Sequence, residues 1–206
     1  MNNWIEKEQP KKETIQSLKK DIKIDDFLCS LLLQRKVNTL AKAQEFFRPD
    51  INLLHDPFLM KDMKKVVEKI ENSREERIMI LGDYDVDGTT STAMLYTYFK
   101  NINYDILYYI PDRYSEGYGV SEKAIEYAEK NRVSLIITVD CGIKAINQVD
   151  ISNSKNIEMI ICDHHLPGDQ IPNAFGILNP KQKNCKYPFK DLCGCGIAYK
   201  LITAHN

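Results

Sequence analysis

The chain has no excess of charge: 28 Lys and Arg stand against 29 Asp and Glu, a net charge of −1. The broad basic footprint by which proteins hold duplex nucleic acid is therefore missing, and any polyanion must be held by local patches. No apolar run approaches the roughly 20 residues that cross a bilayer. The start, Met1-Asn-Asn-Trp-Ile-Glu-Lys-Glu, lacks the cationic flank and apolar block of a secretory signal. The expectation is a cytoplasmic protein with no membrane role. Six scattered cysteines in 206 residues are too few for a disulfide scaffold. Cys193 and Cys195 form a C-x-C without the second pair of a zinc site. G-x-G-x-x-G and the Walker pattern are both absent, as are internal repeats. With 43% hydrophobic residues the chain is too apolar to be wholly disordered, and it is long enough to bury a core.

What is present has two textures. Residues 1–22 are polar and lysine-rich without a sustained period, and read as a loosely ordered or partly paired arm. Over 25–50 apolar residues recur at helical spacing: Phe27, Leu28, Leu31 and Leu32, then Leu40, Ala43, Phe46 and Phe47. Asp25 and Thr39 stand where caps belong, and Pro49 stops the second helix. Another helix is expected over 57–72, with Met63, Val66, Val67 and Ile70 on its apolar face. Residues 1–75 thus read as a helical leader. From residue 76 short apolar strands (78–81, 104–110, 135–139, 158–162, and 175–178) alternate with helices (90–100, 121–131, 145–156). That alternation predicts an α/β domain over 76–206, a doubly wound, mainly parallel sheet. The stretch 179–191 reads as an irregular loop. A helix begins at 194 and breaks off, which would leave Ile197, Tyr199 and Leu201 exposed.

In open α/β sheets ligands gather beyond the carboxyl ends of the strands. The first strand here runs into Gly82-Asp83-Tyr84-Asp85-Val86-Asp87-Gly88, the third into Asp140-Cys141-Gly142, the fourth into Asp163-His164-His165. Carboxylates and imidazoles collected at one rim repel each other unless a cation sits among them. Such a donor set suits hard or borderline divalent ions, Mn²⁺ or Mg²⁺, singly or as a pair. The second strand leads into a Gly- and Tyr-rich loop, 111–119, in which Arg113 is placed to clamp a phosphate and Tyr114 or Tyr118 offers a face to a base.

Taken together, Asp83-Tyr-Asp85-Val-Asp87-Gly88, Asp140-Cys-Gly and Asp163-His164-His165 resemble the first three motifs of the DHH phosphoesterase superfamily. Leu31-Leu-Leu-Gln-Arg35, the 113–119 loop and Asn179-Pro-Lys-Gln182 resemble its branch of single-strand-specific 5′→3′ DNA exonucleases. Met79, where other branches carry a histidine, fits that branch too. The resemblance implies metal ligation by Asp83, Asp85, Asp140 and His164, with Asp140 bridging two ions. It implies catalytic positions for His165, toward the scissile phosphate, and for Asp163, orienting its neighbours. Single-stranded DNA is the implied substrate, in repair and recombination, with a repair helicase or single-strand-binding protein as partner of the full-length form. The superfamily's fourth motif, a further ligating Asp, has no counterpart: after Asp169 the only Asp is Asp191. The expectation is the front portion of a longer enzyme, with little activity alone. An alternative within the superfamily is a phosphodiesterase for short oligonucleotides or cyclic dinucleotides, and another is an inactive truncated fragment that only binds metal or partner proteins. Asp85-Val-Asp87-Gly88-Thr89 also satisfies the D-x-D-G-T signature of haloacid-dehalogenase-type phosphatases, with Asp85 as nucleophile and Asp87 as general acid. That reading leaves Asp140 and the Asp163-His164-His165 cluster without a role.

Overall fold

The structure, a computed structural model, describes residues 5–206; the first four residues of the expected arm lie outside the described residues. It divides into two compact units, one ending at Leu54 and one running His55–Asn206. In the first, α1 (Lys12–Ile22), α2 (Asp26–Gln34) and α3 (Leu40–Phe47) enclose Leu18, Cys29, Leu32, Val37 and Ala43. Much of the expected arm is therefore helix. Its apolar residues Ile15, Leu18 and Ile22 do recur at helical spacing, but a lysine-rich polar face surrounds them. Asp25 and Thr39 cap as expected, accepting from the Leu28 and Lys42 amides.

The second unit opens with a short 3₁₀ turn, Pro57–Leu59, and then α4 (Met63–Asn72). The helix expected over 57–72 is thus helical only from Met63, because Asp62 adopts a left-handed φ of 67° and breaks the run. Residues 55–75 pack with the sheet unit: the α4 residues Met63, Val66 and Ile70 are fully buried in its core.

The sheet follows: β1 (Arg77–Gly82), α5 (Val86–Asn101), β2 (Asp105–Tyr109), α6 (Glu122–Lys130), β3 (Leu135–Val139), α7 (Ile146–Ser154), β4 (Glu158–Cys162), β5 (Gly176–Leu178) and α8 (Gly194–His205). All four pairings are parallel, in the order β2-β1-β3-β4-β5. This is the doubly wound α/β sheet that the alternation predicts. The two-residue strand period sorts side chains to two cores. Ile78, Ile80, Leu135, Ile137 and Ile160 meet α4, α5 and α8 on one face. Met79, Leu81, Ile136, Met159 and Ile161 meet α6 and α7 on the other.

The helix at 194 does not break off. It continues for 12 residues, and Ile197 and Leu201 are fully buried against the sheet, with only Tyr199 of the three exposed. No described helix is long and apolar enough to cross a membrane. All six cysteines are unpaired.

Because Ile70 is completely buried among sheet residues, Ile70→Ala should destabilise the sheet unit by about 2–5 kcal/mol. Urea unfolding followed by tyrosine fluorescence measures it. A loss under about 0.5 kcal/mol would mean that α4 is not part of that core.

Candidate metal centre

The strand order reverses between β1 and β3, and ligands gather at such a switch point. Asp83 and Asp85 follow β1, and Asp140 follows β3. Asp83 is held where the chain turns into α5, and the turn is close-packed: a Cβ on Gly88 would lie 2.5 Å from the Asp83 carbonyl oxygen. Asp85 caps α5, its Oδ1 accepting from the Gly88 amide at 2.9 Å. Asp140 donates its amide to the Cys162 carbonyl at 2.9 Å, continuing the sheet ladder by one residue. It then adopts a left-handed φ of 61°. A non-glycine residue in that region is costly unless its surroundings hold it there, and such positions cluster at functional sites. The start of α8 lies directly against it: a Cβ on Gly194 would come 2.8 Å from the Asp140 Cβ.

Asp163, after β4, is buried and accepts four hydrogen bonds. Its Oδ2 takes the Ile143 amide at 2.9 Å; its Oδ1 takes the His164 and His165 amides and faces His165 Nδ1 at 2.7 Å. A carboxylate so engaged orients its neighbours and has little capacity left for a cation. Asn179, fully buried after β5, donates to the His165 carbonyl at 2.9 Å. Tyr118 donates to the Asp140 carbonyl at 3.3 Å, and its hydroxyl lies 3.3 Å from His165 Nδ1. His165 is thereby held from both sides of the rim.

The expected ligands come together. Asp83, Asp85 and Asp140 present ligand atoms within 4.8 Å of one another, and so do Asp140, His164 and His165. Asp140 is common to both groups. The Oδ1 atoms of Asp83 and Asp140 are buried without a hydrogen-bond partner among the described residues. His164 Nε2 lies 3.0 Å from Asp140 Oδ1 but out of hydrogen-bonding alignment. A buried carboxylate oxygen without a donor is costly. Two of them, facing oxygen and imidazole donors, fit divalent cations of the Mn²⁺ and Mg²⁺ kind. The electrostatics of the cluster agree. Burial, reinforced by Asp87 and Asp85, pushes Asp140 up to about 8. Burial also raises Asp83, whereas the Gly88 amide lowers Asp85. Burial, with His165 beside it, lowers His164 and favours the neutral imidazole that a metal ligand requires.

Asp87 is placed differently. Its two oxygens accept from the Gly194 and Cys195 amides at 2.7 Å each, so it caps α8 as Cys193 also does through Gly196. A carboxylate bound twice in this way is poorly placed as the general acid of the dehalogenase-type reading, and Asp85 is engaged at the start of α5. Asp191 is exposed, its nearest cation being Lys181 at 3.9 Å, and it is not in the cluster. Arg113 stacks on Tyr84, Cζ 4.8 Å from the ring centroid, near enough to lower Asp83 electrostatically. Asn179 lies in a stretch that the resemblance marks without giving it a role, and Gly194 is a site residue that the sequence pattern alone does not single out. The signals available are an Asn-Pro at a strand end and two glycines flanking Cys195.

The family profile described as "DHH family, N-terminal domain" matches residues 77–206. The single-stranded-DNA-specific exonuclease RecJ of Bacillus subtilis (strain 168) is 39% identical over 199 residues, which is 96% of this chain and 25% of that protein. The protein of the same name from Escherichia coli (strain K12) is 39% identical over 145 residues, 69% of this chain and 25% of its own length. Among solved structures, exonuclease RecJ bound to manganese aligns with a TM-score of 0.63 and 30% identity, over 71% of this chain and 37% of that one. RecJ from Thermus thermophilus in complex with Mn²⁺ aligns with a TM-score of 0.73 over 96% of this chain and 27% of that one. At 23% identity this second likeness speaks to the fold. The chain spans about a quarter of the length of these curated relatives.

The raised Asp140 value sets the sign of a pH effect. Its folded-state pKa lies above the ordinary 3.8, so the metal-free folded state binds this proton more tightly than the unfolded chain. Stability from this group is present at low pH and lost as pH rises from about 4 to 8. In chelator, Asp140→Asn should remove part of the fall in urea midpoint between about pH 6 and pH 9, and Mn²⁺ should restore the wild-type midpoint at the upper end. Identical pH profiles for wild type and variant would show that Asp140 ionises normally.

Proposed function

The chain belongs to the DHH family, and we propose that residues 76–206 are the metal-binding part of a single-strand-specific 5′→3′ DNA exonuclease. The observation that carries this reading is the pair of orphaned buried oxygens on Asp83 and Asp140, in a chain 39% identical to RecJ of Bacillus subtilis. We further assign it to the cytoplasm, in DNA repair and recombination, with a helicase or single-strand-binding protein as partner of the full-length form.

Asp83, Asp85, Asp140 and His164 would hold Mn²⁺ or Mg²⁺. Bound there, such an ion supplies a hydroxide nucleophile and neutralises charge on the phosphate under attack. The remaining residues position and exclude. Asp163 fixes the His165 ring through Nδ1, directing the other ring nitrogen toward the reacting phosphate. Arg113, spread over Tyr84 at the loop edge, neutralises a substrate phosphate. Tyr118, more than half exposed, presents a face to an unpaired base. Among the described residues no serine or cysteine with a histidine base occupies this rim, so water and not a side chain is the nucleophile in this reading. Since the chain spans about a quarter of its curated relatives, the reading includes weak metal binding and little activity alone.

The test is hydrolysis of 5′-phosphorylated single-stranded DNA with Mn²⁺ in ¹⁸O-water, using this chain and a version extended by the remaining three quarters of the relatives' length. The extended enzyme should release ¹⁸O-labelled mononucleotides, and Asp83→Asn or Asp140→Asn should lower its rate by at least about 100-fold. The chain alone should be far slower. Label appearing first on a protein carboxylate, or equal rates from both proteins, would overturn the reading.

Arg113→Ala in the extended enzyme should weaken single-strand binding and flatten its dependence on salt by about one phosphate contact. Fluorescence anisotropy across a salt series reads both. An unchanged slope would take Arg113 out of the binding surface.

A further inference from the structure

Beside His165, on the side of the rim facing α6 and α7, lies a cavity of about 360 Å³. Its position is set by the turns after β3 and before α6. The chain passes Asp140, turns at Gly142 with φ 108° and enters α7, while Gly119 with φ 84° closes the opposite wall. The lining is of two kinds. Ala145 supplies apolar surface, with the edges of the nearly buried Val120 and Ile143 behind it, and Lys144 and Gln148 supply an ammonium and an amide. Tyr118 forms the wall shared with the metal centre. Asp163 also borders the cavity, but its oxygens are engaged by the Ile143, His164 and His165 groups.

We infer that this cavity receives one unpaired nucleotide next to the scissile phosphate, its base against the apolar lining and its phosphate toward Lys144. The inference rests on the exonuclease reading above and extends it to the source of strand selectivity. Four arguments support it. A polymer whose phosphodiester reacts beside His165 must place a neighbouring nucleotide within a few ångströms, and the cavity adjoins His165. Its volume falls in the range of small-ligand sites and suits one nucleotide better than two. The mixture matches the ligand: a flat apolar ring with a polar edge calls for apolar walls and one amide, which offers both a donor and an acceptor. Lys144 is exposed and suited to a phosphate as a point charge. A base in a duplex would have to leave its stack and its partner to enter, which costs a few kcal/mol, while a single strand is spared most of that cost. Selection against duplex would then follow from a pocket rather than from surface charge, consistent with a chain of net charge −1.

The experiment is amide NMR on the 206-residue chain, with diamagnetic Mg²⁺ added first, followed by thymidine 5′-monophosphate, thymidine or inorganic phosphate. Mg²⁺ should shift the amides after β1, β3 and β4. Thymidine 5′-monophosphate should then shift Gly119, Val120 and residues 142–148, thymidine the same set more weakly, and phosphate only those near Lys144. Ala145→Phe, which fills the cavity, should weaken nucleotide binding at least about tenfold, and Gln148→Ala about threefold. Both variants should keep the wild-type Mg²⁺ response; if Ala145→Phe loses it through misfolding, Gln148→Ala decides. Shifts confined to the metal ligands and the Arg113 loop, or full nucleotide affinity in the variants, would overturn the base pocket while leaving the metal centre standing. Strand ends that ignore Mg²⁺ would bring down both.

Discussion

Asp83, Asp140 and Asp163 are each at most 2% exposed at a single rim of a parallel sheet, with Asp85 and Asp87 beside them. Carboxylates so placed repel one another and lack the water that would solvate them. The fold meets the problem with main-chain N–H groups. Asp163 is bound by three amides, Asp87 by two and Asp85 by one. Those dipoles are fixed by helix starts and tight turns, so they stabilise the charges without having to reorganise. Only Asp83 and Asp140 keep a buried oxygen without a partner among these acids, and a divalent cation would supply that partner.

The topology explains why these residues meet. With β1 and β3 adjacent and their crossovers leading to opposite faces, the loops after the two strands part and leave a crevice between them. Acids from β1 and β3 line its two sides, and β4 adds the Asp163-His164-His165 segment next to β3. The helices contribute through their ends. The N-terminus of α5 is capped by one acid of the cluster, and that of α8 by another.

Much of this was legible because it depends on local pattern. Runs such as Leu135 to Val139, apolar throughout but for one threonine, suit buried strands in a parallel sheet, and the acids stand immediately after them. The resemblance then assigned roles to individual residues. What escaped depended on contacts distant in sequence. Nothing near Gly194 reveals that its α-carbon will lie against Asp140, or that Asp87 will hold the first amides of α8, so the pattern alone leaves the final helix unfinished. The lysine-rich stretch before residue 22 failed for a different reason: its apolar stripe is narrow, and α1 takes its stability from packing on Leu32 and Cys29 more than from propensity.

The clamp between Asp87 and the first amides of α8 joins positions 107 and 108 residues apart. Closing a loop of that length is entropically slow, and contacts of such separation form late. The strands and the α5 turn can assemble from nearer neighbours, but the wall of the crevice beside Asp140 is missing until residues 194–205 have docked. The shape of the rim beside Asp140 thus depends on a contact between distant parts of the chain, so a change at the start of α8 would be felt at the acids.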